Sequence, residues 1–544
     1  MSARTVAELL RATQPPGPRP LGGLIKRLAA DGSVRGARLN GRAIGPGGLA
    51  EVAVRNVTQD SRNVTAGSLF VAVAGQHADG HDFVATVAER GAAAAIVERP
   101  VPDVALPQLV VASSPIALAR SAAWWYGDPS HALAVLGVTG TDGKTTTSML
   151  AAAALEASGL RTGLISTAVS RIGGITEPNE AHATTPEAVA LQSALRAMAA
   201  AGDRAAVVET TSHGLALHRV AEIAYDVAIL TNLTHEHLEL HGTWEAYRDA
   251  KLSLFERLGG RHPAKERAPA WPRTGIVNLD DPSAGAFIGV TQEAGARVVT
   301  YGTDPAADVR ASRVEEDARG LRIAYTAPSG AATLELRLAG RFNVHNALAV
   351  VALGEAIGLD PGAVRRGLAS VDRVPGRMER VELGQPFGVI VDYAHSPASL
   401  ATVLDLLAPV AASRGGGLIA VFGSAGERDT AKRPLMGRIA GERCRLVVVT
   451  DEDPRGEDRE AILDAIARGA ETAGRRRGHD LLLIADREAA VEAAFEQARP
   501  GDVVLLAGKG HEASIIGPGG ARPYDERAAA TRALERLGYE AGRT

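Results

Sequence analysis

Short apolar segments that end in polar residues recur along this chain of 544 residues. In the middle of the chain they span residues 135–138, 205–208 and 227–230, and helix-forming stretches separate them. Apolar strands that alternate with helices are typical of a parallel, doubly wound sheet, whose strands are buried on both faces. Because such sheets bind ligands at the carboxyl ends of their strands, the polar residues there are the first candidates for chemistry.

The end of the first segment predicts a phosphate-binding turn. Residues 137–147 read Gly-Val-Thr-Gly-Thr-Asp-Gly-Lys-Thr-Thr-Thr, and a helix-forming stretch follows at 148–157. Glycines let backbone N–H groups approach an anion, and a helix N-terminus adds partial positive charge. Lys144 supplies a full charge, and Thr145 supplies a hydroxyl suited to Mg²⁺. The strict pattern has glycine where this chain has Val138, so an ordinary glycine turn is the alternative.

The next two segments end in candidate metal ligands. Glu209 follows one of them, and a carboxylate there could complete a Mg²⁺ shell together with Thr145. A helix-capping or solvated glutamate is the alternative. His213 and His237 lie in the two polar clusters, and each histidine taken alone fits a structural role as well as a catalytic one.

Lys251 lies on the apolar face of a predicted helix over residues 244–258. That face also carries Tyr247, Phe255 and Leu258 at helical spacing. A lysine in this place must extend its charge to solvent, pair with another group or lose its charge. The pattern leaves open whether Lys251 reaches solvent or is paired or chemically altered.

The last third of the chain repeats the pattern of apolar segments with polar ends. Arg428, Asp453, Arg455 and Glu512 each follow a different predicted strand. Arginines there could bind a carboxylate, and acids could bind an ammonium group, which together suit a zwitterionic or diamino ligand. A surface network of ion pairs is the alternative.

These patterns predict an α/β fold with three domains. The limits are 1–130 for a smaller N-terminal α/β domain, 131–338 for the central domain and 339–544 for a C-terminal, Rossmann-like α/β domain. The central domain is predicted to hold the P-loop on a doubly wound, mostly parallel sheet, with antiparallel strands at 309–338. The Gly-, Pro- and Arg-rich first 45 residues are predicted to be partly irregular, with one helix near residues 6–13.

Composition narrows the function classes. A net charge of −4 gives no broad attraction to nucleic acid or to an anionic membrane. The single cysteine, Cys444, permits no internal disulfide or cysteine zinc site and is expected to be a small buried residue. The N-terminus lacks an apolar segment, and no run approaches the ~18 apolar residues of a membrane span. A cytoplasmic protein is therefore expected.

Taken together, the motifs resemble those of the Mur ligases, ATP-dependent amide-forming enzymes of peptidoglycan precursor synthesis. The resemblance extends over roughly residues 50–535. It rests on residues 139–146, 209–213, 232–237, 250–251, 343–346 and 392–395. Residues 60–62 followed by 67–72 resemble the uridine-binding domain of those members that add the third amino acid, a diamino acid.

The resemblance implies roles for individual residues. The implied ATP-binding residues are Gly140, Thr141, Asp142, Gly143, Lys144, Thr145, Thr146, Asn343, Asn346, Arg377 and Asp392. The implied contacts of UDP-N-acetylmuramoyl-L-Ala-D-Glu are Ser61, Thr184, Thr185, Thr211 and Arg219. Thr145 and Glu209 would hold one Mg²⁺, while His237 and Lys251 would serve a second, with Lys251 carrying a CO₂-derived carbamate. Lys144, Lys251, His237 and Glu209 form the implied catalytic set.

The diamino-acid pocket implied by the resemblance departs from the usual motif. Its residues here are Arg428, Glu452, Asp453, Pro454, Arg455, Gly508 and Glu512. Members that use meso-diaminopimelate usually carry Asp-Asn-Pro-Arg where this chain has Glu-Asp-Pro-Arg. Arg455 favours a ligand with a distal carboxylate, while Asp453 favours a purely cationic end. We expect meso-diaminopimelate, because Arg428, Arg455, Gly508 and Glu512 all match the motif.

Three alternatives stay open. The reaction could use L-lysine or L-ornithine, or the chain could be a folylpolyglutamate synthetase, which shares the ligase core but not the additional N-terminal domain. A nucleotide-binding scaffold without catalysis would lack the metal ligands or Lys251, and neither is missing here. An amidating relative of the Mur ligases carries a zinc site of four cysteines. That relative is excluded, because this chain has one cysteine. A monomer with no nucleic-acid partner and no membrane span is expected.

Overall fold

A computed structural model describes residues 5–75, 78–179, 183–234, 241–260, 265, 268–317 and 320–540. Three mixed sheets with helices packed on them organise this part of the chain. The predicted three-domain α/β fold class is thereby confirmed.

The central sheet has eleven strands in the described part of the chain. In spatial order they are Ile175–Pro178, Val169–Ile172, Thr162–Ile165, Ala205–Glu209, Ala134–Thr139, Val227–Leu230, Thr274–Asn278, Arg297–Gly302, Val309–Asp317, Gly320–Ala327 and Gly330–Leu336. The strands from Thr162–Ile165 to Val309–Asp317 pair in parallel, and both ends of the sheet are antiparallel. The predicted antiparallel strands at 309–338 are therefore confirmed, and Ala134–Thr139 lies inside the parallel part, between Ala205–Glu209 and Val227–Leu230.

Helices cover both faces of the central sheet. Five of them are Lys144–Ala157, Ala188–Ala201, Ser212–Ala216, Trp244–Glu256 and Ala284–Glu293. Three more helices pack on the same sheet, namely Val6–Ala12, Asn343–Ile357 and Pro361–Ser370. The last three lie outside the predicted central limits of 131–338, yet their buried side chains belong to the cores of the central sheet. The packing therefore places residues 6–12 and 343–370 with the central unit. We propose that the C-terminal domain begins later than predicted, near residue 376.

The N-terminal sheet has six strands among the described residues. Their order is Arg42–Ile44, Val34–Leu39, Gln108–Val111, Ala94–Val97, Ser68–Val71 and Asn56–Thr58, with Arg19–Pro20 and Ala53–Val54 paired separately. The helices packed here are Gly22–Ala29, Val84–Glu89 and Ser114–Tyr126, and short 3₁₀ helices lie at Pro46–Leu49, Ser61–Asn63, Gly80–Phe83 and Pro129–Ala132.

The predicted helix near residues 6–13 is present as Val6–Ala12, and residues 13–18 are irregular, but the prediction of a single helix in the first 45 residues was wrong. They also contain the helix Gly22–Ala29 and a hairpin of Val34–Leu39 with Arg42–Ile44. Asn40 and Gly41 join the two strands with φ of 48° and 75°. Asn-Gly favours this backbone conformation in two-residue hairpin turns, so the sequence did contain the signal for this hairpin.

The C-terminal sheet has six described strands. Their order is Glu379–Arg380, Gly388–Asp392, Val503–Ala507, Leu418–Phe422, Leu446–Val449 and Leu481–Leu483, and only the first pairs antiparallel. The helices are Pro397–Ser413, Lys432–Arg443, Arg459–Thr472, Arg487–Glu496 and Glu526–Arg536, and Ser514–Gly517 pairs with Gly520–Pro523 as a hairpin. Cys444 is buried in this core as expected, and burial raises the pKa of its thiol to about 12.

None of the helices in the described ranges has both the length and the apolar character that crossing a membrane would require.

A bidentate ion pair in the C-terminal domain gives a pH-dependent contribution to stability. Arg433, which is buried, donates to both carboxylate oxygens of Glu457 at 2.6 and 2.8 Å. These bonds, with a further one from the Glu427 N–H, lower the pKa of Glu457 from 4.5 to about 2. A lowered carboxyl pKa stabilises the folded state above pH 4.5, and this contribution is lost as the pH falls towards 2.

We therefore expect Glu457→Gln to reduce the free energy of unfolding by about 1–2 kcal/mol at pH 7. The difference from wild type should shrink as the pH is lowered from 4.5 towards 2, as measured by thermal melting at a series of pH values. Glu535→Gln, an exposed change in the helix Glu526–Arg536, is the control and should alter stability by less than about 0.5 kcal/mol. An equal effect of Glu457→Gln at pH 7 and pH 3 would contradict the assignment.

Candidate active site

The turn after the strand Ala134–Thr139 is closed tightly against its neighbours. Gly140 has φ of 147°, and a Cβ there would lie 1.8 Å from Oγ1 of Thr231. Gly143 has φ of 78°, and a Cβ there would lie 2.3 Å from Oδ1 of Asn346. Close packing and a positive φ therefore both favour glycine at these two positions. The backbone N–H groups of Thr141 and Asp142 are fixed by Asn232, at 2.8 and 2.9 Å.

The helix after this turn begins at Lys144, four residues earlier than the predicted stretch 148–157. Its first turn therefore contains the two predicted phosphate and metal ligands. Nζ of Lys144 donates to the carbonyl oxygen of Thr141 at 2.6 Å, so the ammonium group lies over the turn. Thr145 is buried and donates from Oγ1 to Oε1 of Glu209 at 3.0 Å. Thr146 is buried beside it.

Glu209 is a buried carboxylate at the carboxyl end of its strand, with 1% of its surface exposed. Besides the Thr145 hydroxyl, it accepts hydrogen bonds from the N–H and the hydroxyl of Thr167, at 2.7 and 2.9 Å. A solvated glutamate is thereby ruled out. Thr167 was not among the predicted residues, although it follows the strand Thr162–Ile165 just as the predicted residues follow theirs.

The predicted muramoyl-dipeptide contacts of the central domain form one network with Glu209. Oγ1 of Thr167, whose proton goes to Glu209, lies 2.9 Å from Oγ1 of Thr184, and Oγ1 of Thr185 donates to the backbone oxygen of Glu209 at 2.9 Å. The hydroxyls of Thr185 and Thr211 lie 3.1 Å apart. Arg219 donates from Nη1 to the Thr185 carbonyl at 2.9 Å and pairs with Glu187.

Ser61 lies apart from that network, in the N-terminal domain. It begins the 3₁₀ helix Ser61–Asn63, and its carbonyl oxygen accepts a hydrogen bond from Arg90 at 2.7 Å. The preceding Asp60 caps this helix and pairs with Arg62, whose hydrogen bond lowers the pKa of the Asp60 carboxyl. The Asp-Ser-Arg segment thus forms a defined turn at the surface of the N-terminal domain.

Lys251 lies inside the protein, on the buried face of the helix Trp244–Glu256. Only 1% of its surface is exposed, so it does not extend to solvent. Its Nζ donates to the carbonyl oxygen of Gly140 at 2.6 Å and lies 4.5 Å from the ring centre of Tyr247. The Tyr247 hydroxyl is in turn 2.9 Å from Oγ1 of Thr141. Two contacts therefore tie this helix directly to the phosphate-binding turn.

His237, a predicted ligand of the second Mg²⁺, lies outside the described residues. His213 is in the short helix Ser212–Ala216, with its ring 5.8 Å from that of His241. Across the described ranges, no group of three or more His, Cys, Asp and Glu side chains is arranged to hold a metal. Thr145 and Glu209 have the oxygen donors that Mg²⁺ prefers, and the neighbouring turn suits phosphates that would complete its shell.

Two predicted nucleotide ligands near the start of the helix Asn343–Ile357 meet the phosphate-binding turn. Asn346 is buried against Gly143 and accepts a hydrogen bond at Oδ1 from the Thr147 hydroxyl at 3.1 Å. Its Nδ2 donates to Oδ1 of Asn343 at 2.9 Å, and Asn343 donates to the Ala339 carbonyl at 2.7 Å. Both amides are thus fixed in place at the turn.

Arg377 and Asp392 bring the C-terminal domain to the same region. Asp392 is buried and accepts hydrogen bonds from the N–H groups of Met378 and Ala394, at 2.8 and 2.9 Å. Burial raises the pKa of its carboxyl, and the charge of Arg377 opposes that shift. The charge of Asp142, in the phosphate-binding turn, also raises the pKa of Asp392. The Arg377 guanidinium lies 4.9 Å from the ring centre of Tyr393.

The predicted diamino-acid residues lie at the carboxyl ends of neighbouring strands. Arg428 is exposed, whereas Glu452, Asp453 and Pro454 are buried and Arg455 is half-buried with a φ of 55°. Gly508 has φ of 100°, and a Cβ there would lie 3.0 Å from Oε2 of Glu452.

Lys509 joins two of these predicted residues and was itself not predicted. It is fully buried, and its Nζ donates to Oδ1 of Asp453 at 2.8 Å and to Oε2 of Glu512 at 2.5 Å. The Tyr393 hydroxyl donates to the other oxygen of Glu512 at 3.3 Å. This ion-pair network is internal, unlike the surface network that was the alternative interpretation.

The close approach at Gly143 allows a sharp test. We expect Gly143→Ala to lower kcat/KM for ATP by at least about a hundredfold, because its Cβ would displace the buried Asn346 amide. Gly159→Ala is the matched control: Gly159 has the same φ of 78° but no atom within 4 Å. Both variants carry the cost of a left-handed alanine, about 1 kcal/mol. Equal losses in both would mean that the contact with Asn346 is unimportant.

Three family models match successive parts of the chain. They are described as Mur ligase family, catalytic domain (residues 53–136), Mur ligase middle domain (138–354) and Mur ligase, glutamate ligase domain (376–510). The start of the third match, at residue 376, agrees with the packing described above, which places residues up to about 370 with the central sheet.

Similar proteins extend over most of the chain. A UDP-N-acetylmuramyl-tripeptide synthetase of Roseiflexus sp. (strain RS-1) is 49% identical, covering 89% of this chain and 95% of that protein. A UDP-N-acetylmuramoyl-L-alanyl-D-glutamate–2,6-diaminopimelate ligase of Geobacter metallireducens is 40% identical, covering 87% and 93%. Among solved structures, a ligase of the latter name has a TM-score of 0.60 and 29% identity, covering 90% and 96%. A Mycobacterium tuberculosis folylpolyglutamate synthase has a TM-score of 0.57 at 20% identity, covering 76% and 94%, a likeness of fold alone.

Proposed function

The chain belongs to the Mur ligase family, and from that premise we propose that it adds meso-diaminopimelate to UDP-N-acetylmuramoyl-L-alanyl-D-glutamate. Members of the family are ATP-dependent amide ligases of peptidoglycan precursors, and they use Mg²⁺. The observation that carries the proposal is the meeting of Lys144, Glu209 and Lys251 around one phosphate-binding turn, together with a cluster of buried acidic and basic groups in the C-terminal domain.

The proposed reaction has two steps. The side-chain carboxylate of the D-glutamyl residue takes the γ-phosphoryl group of ATP, which gives an acyl phosphate and ADP. The amine of the diamino acid then attacks the acyl carbon, so that an amide bond forms, the bond to phosphate breaks and the amine gives up a proton. Both steps concentrate negative charge on phosphoryl oxygens, and the N–H groups at the start of the helix Lys144–Ala157 and the Lys144 ammonium are suited to offset it.

Thr145 and Glu209 would hold Mg²⁺, which supplies positive charge to the phosphates when it is bound. Thr167 keeps the Glu209 carboxylate oriented towards the Thr145 hydroxyl through two hydrogen bonds. For Lys251 we propose a carbamate: the unprotonated Nζ attacks CO₂, an N–C bond forms and Nζ loses a proton. The product is an anionic oxygen ligand in a buried place where a lysine would otherwise keep a charge next to a carbonyl and a ring.

The choice of meso-diaminopimelate rests on Glu452 and Arg455. Within the described ranges, Oε2 of Glu452 and Nε of Arg455 are buried and have no hydrogen-bond partner. Buried polar atoms without partners are rare, and a ligand is one explanation for them. A carboxylate and a guanidinium complement the ammonium and carboxylate of a distal amino-acid centre. The name of the Geobacter relative agrees with this choice.

Phosphate release tests the proposal. The protein is supplied with ATP, Mg²⁺ and UDP-N-acetylmuramoyl-L-Ala-D-Glu, together with meso-diaminopimelate, L-lysine or L-ornithine. We expect turnover with meso-diaminopimelate and a much lower kcat/KM with the other two. Preferential use of lysine or ornithine would show that the Asp453 charge governs selection. Turnover with a folate and glutamate instead would support the synthetase alternative.

A further inference from the structure

Lys509 is a buried lysine next to the predicted diamino-acid residues, and neither the sequence motifs nor the proposed reaction assigns it a role. Lys509 follows the strand Val503–Ala507 and is 0% exposed, although it is a lysine. Gly508 and Gly510, on either side of it, have φ of 100° and 51°. This backbone turns the lysine inward, where its ammonium group lies between the carboxylates of Asp453 and Glu512.

The Asp453 carboxylate is held firmly in this arrangement. Its Oδ1 accepts a hydrogen bond from the Ile516 N–H at 2.9 Å in addition to the one from Lys509. The neighbouring Arg455 N–H donates to the Ile516 carbonyl at 2.8 Å, so the hairpin that starts at Ser514 fixes the whole segment. Asp453 is therefore committed to protein partners and differs in this respect from Glu452, whose Oε2 has none within the described residues.

This pairing changes the electrostatic character of the pocket. Without Lys509, Asp453 and Glu512 would contribute two negative charges, which would favour a ligand whose distal end carries only an ammonium group. With Lys509, one of the two charges is balanced inside the protein. The unsatisfied atoms on Glu452 and Arg455 then form one acidic and one basic group, matching a distal end that carries both an ammonium group and a carboxylate.

We propose that Lys509 is a positioning residue that sets the selectivity of the pocket, by neutralising Asp453 so that a diamino acid with a zwitterionic distal end is preferred. This inference rests on the proposed ligase function. It assigns to Lys509 an effect on which diamino acid is used, exerted through Asp453 and Glu512 without contact to the substrate.

A double-mutant cycle on selectivity tests this. The ratio of kcat/KM for meso-diaminopimelate to that for L-lysine is measured for wild type, Lys509→Met, Asp453→Asn and the double variant. Removing one buried unit charge near a charged ligand is taken to change kcat/KM for that ligand about tenfold. We expect Lys509→Met to lower the ratio about tenfold and Asp453→Asn to raise it, while the double variant returns close to wild type.

Two further comparisons separate selectivity from structure. Lys509→Arg keeps the positive charge and should leave the ratio closer to wild type than Lys509→Met does. A purely structural role would raise KM for both diamino acids alike and leave the ratio unchanged, which would overturn the inference. If Lys509→Met does not fold, Asp453→Asn decides alone, since an unchanged or lowered ratio contradicts the proposal. Failure of the wild type with every diamino acid would overturn the proposed function and, with it, this inference.

Discussion

Replacing Lys144 by methionine is expected to lower kcat of the ligation by at least about a thousandfold. Methionine retains most of the length and apolar volume of the lysine stem and removes only the charge. The Lys144 ammonium lies over the phosphate-binding turn, held by the Thr141 carbonyl at 2.6 Å. It is therefore placed where negative charge grows as a phosphoryl group is transferred, and a group that acts there changes kcat more than KM.

The measurement is ATP-dependent phosphate release at saturating substrates, with ADP binding followed separately by calorimetry. Lys26→Met is the control, because Lys26 is an exposed lysine in the helix Gly22–Ala29 and should leave kcat unaltered. Lys144→Arg should also be poor, since a planar guanidinium does not replace a compact ammonium group in a closed turn. A kcat for Lys144→Met within tenfold of wild type would show that the ammonium does not act on the transferred group.

The strands and their chemistry could be predicted because they rest on local sequence patterns. Apolar segments such as 205–208 and 418–422 have the length and composition of buried parallel strands, and the polar residue after each lies at the edge where ligands bind. Glu209 was placed correctly near Thr145 for this reason. The helical spacing around Lys251 was also enough to put it on the buried face.

The partners of these side chains could not be predicted in the same way. Thr167 and Lys509 contact Glu209 and Asp453 across 42 and 56 positions of sequence, and nothing local specifies which distant groups will meet. A charged residue between two glycines, such as Lys509, is more often exposed than buried. Only the fold shows that it turns inward and balances an acid that the sequence had assigned to the substrate.

The limit between the central and C-terminal domains could not be predicted for a second physical reason. The helix Asn343–Ile357 begins with the motif 343–346, which lies within the predicted C-terminal limits, yet it packs beside Lys144–Ala157 against the central sheet. Helical periodicity shows that a helix has an apolar face but not which sheet will cover it. The contact between Asn346 and Gly143 depends on this packing, which brings a residue from beyond the predicted limit into the phosphate-binding turn.

Lys251 gives the second large expected effect. If its function depends on a carbamate, Lys251→Arg should lower kcat by at least about a hundredfold even though the variant keeps a cation. Lys251→Met should be as inactive as Lys251→Arg. A lysine that acted only as a cation, by donating to Gly140 and packing on Tyr247, would predict instead that arginine is much better than methionine.

Carbon dioxide provides a control within the wild-type protein. In buffer depleted of CO₂, wild-type activity should fall and should recover when bicarbonate is added, whereas both variants should stay inactive throughout. ¹³C NMR of protein kept in ¹³C-bicarbonate should show a carbamate signal that is absent from Lys251→Arg. Because Nζ is buried beside the turn, this signal should respond to MgADP, while a carbamate at an exposed lysine such as Lys26 should not. Activity of Lys251→Arg close to wild type would show that a cation suffices at this position, and the carbamate would have to be abandoned.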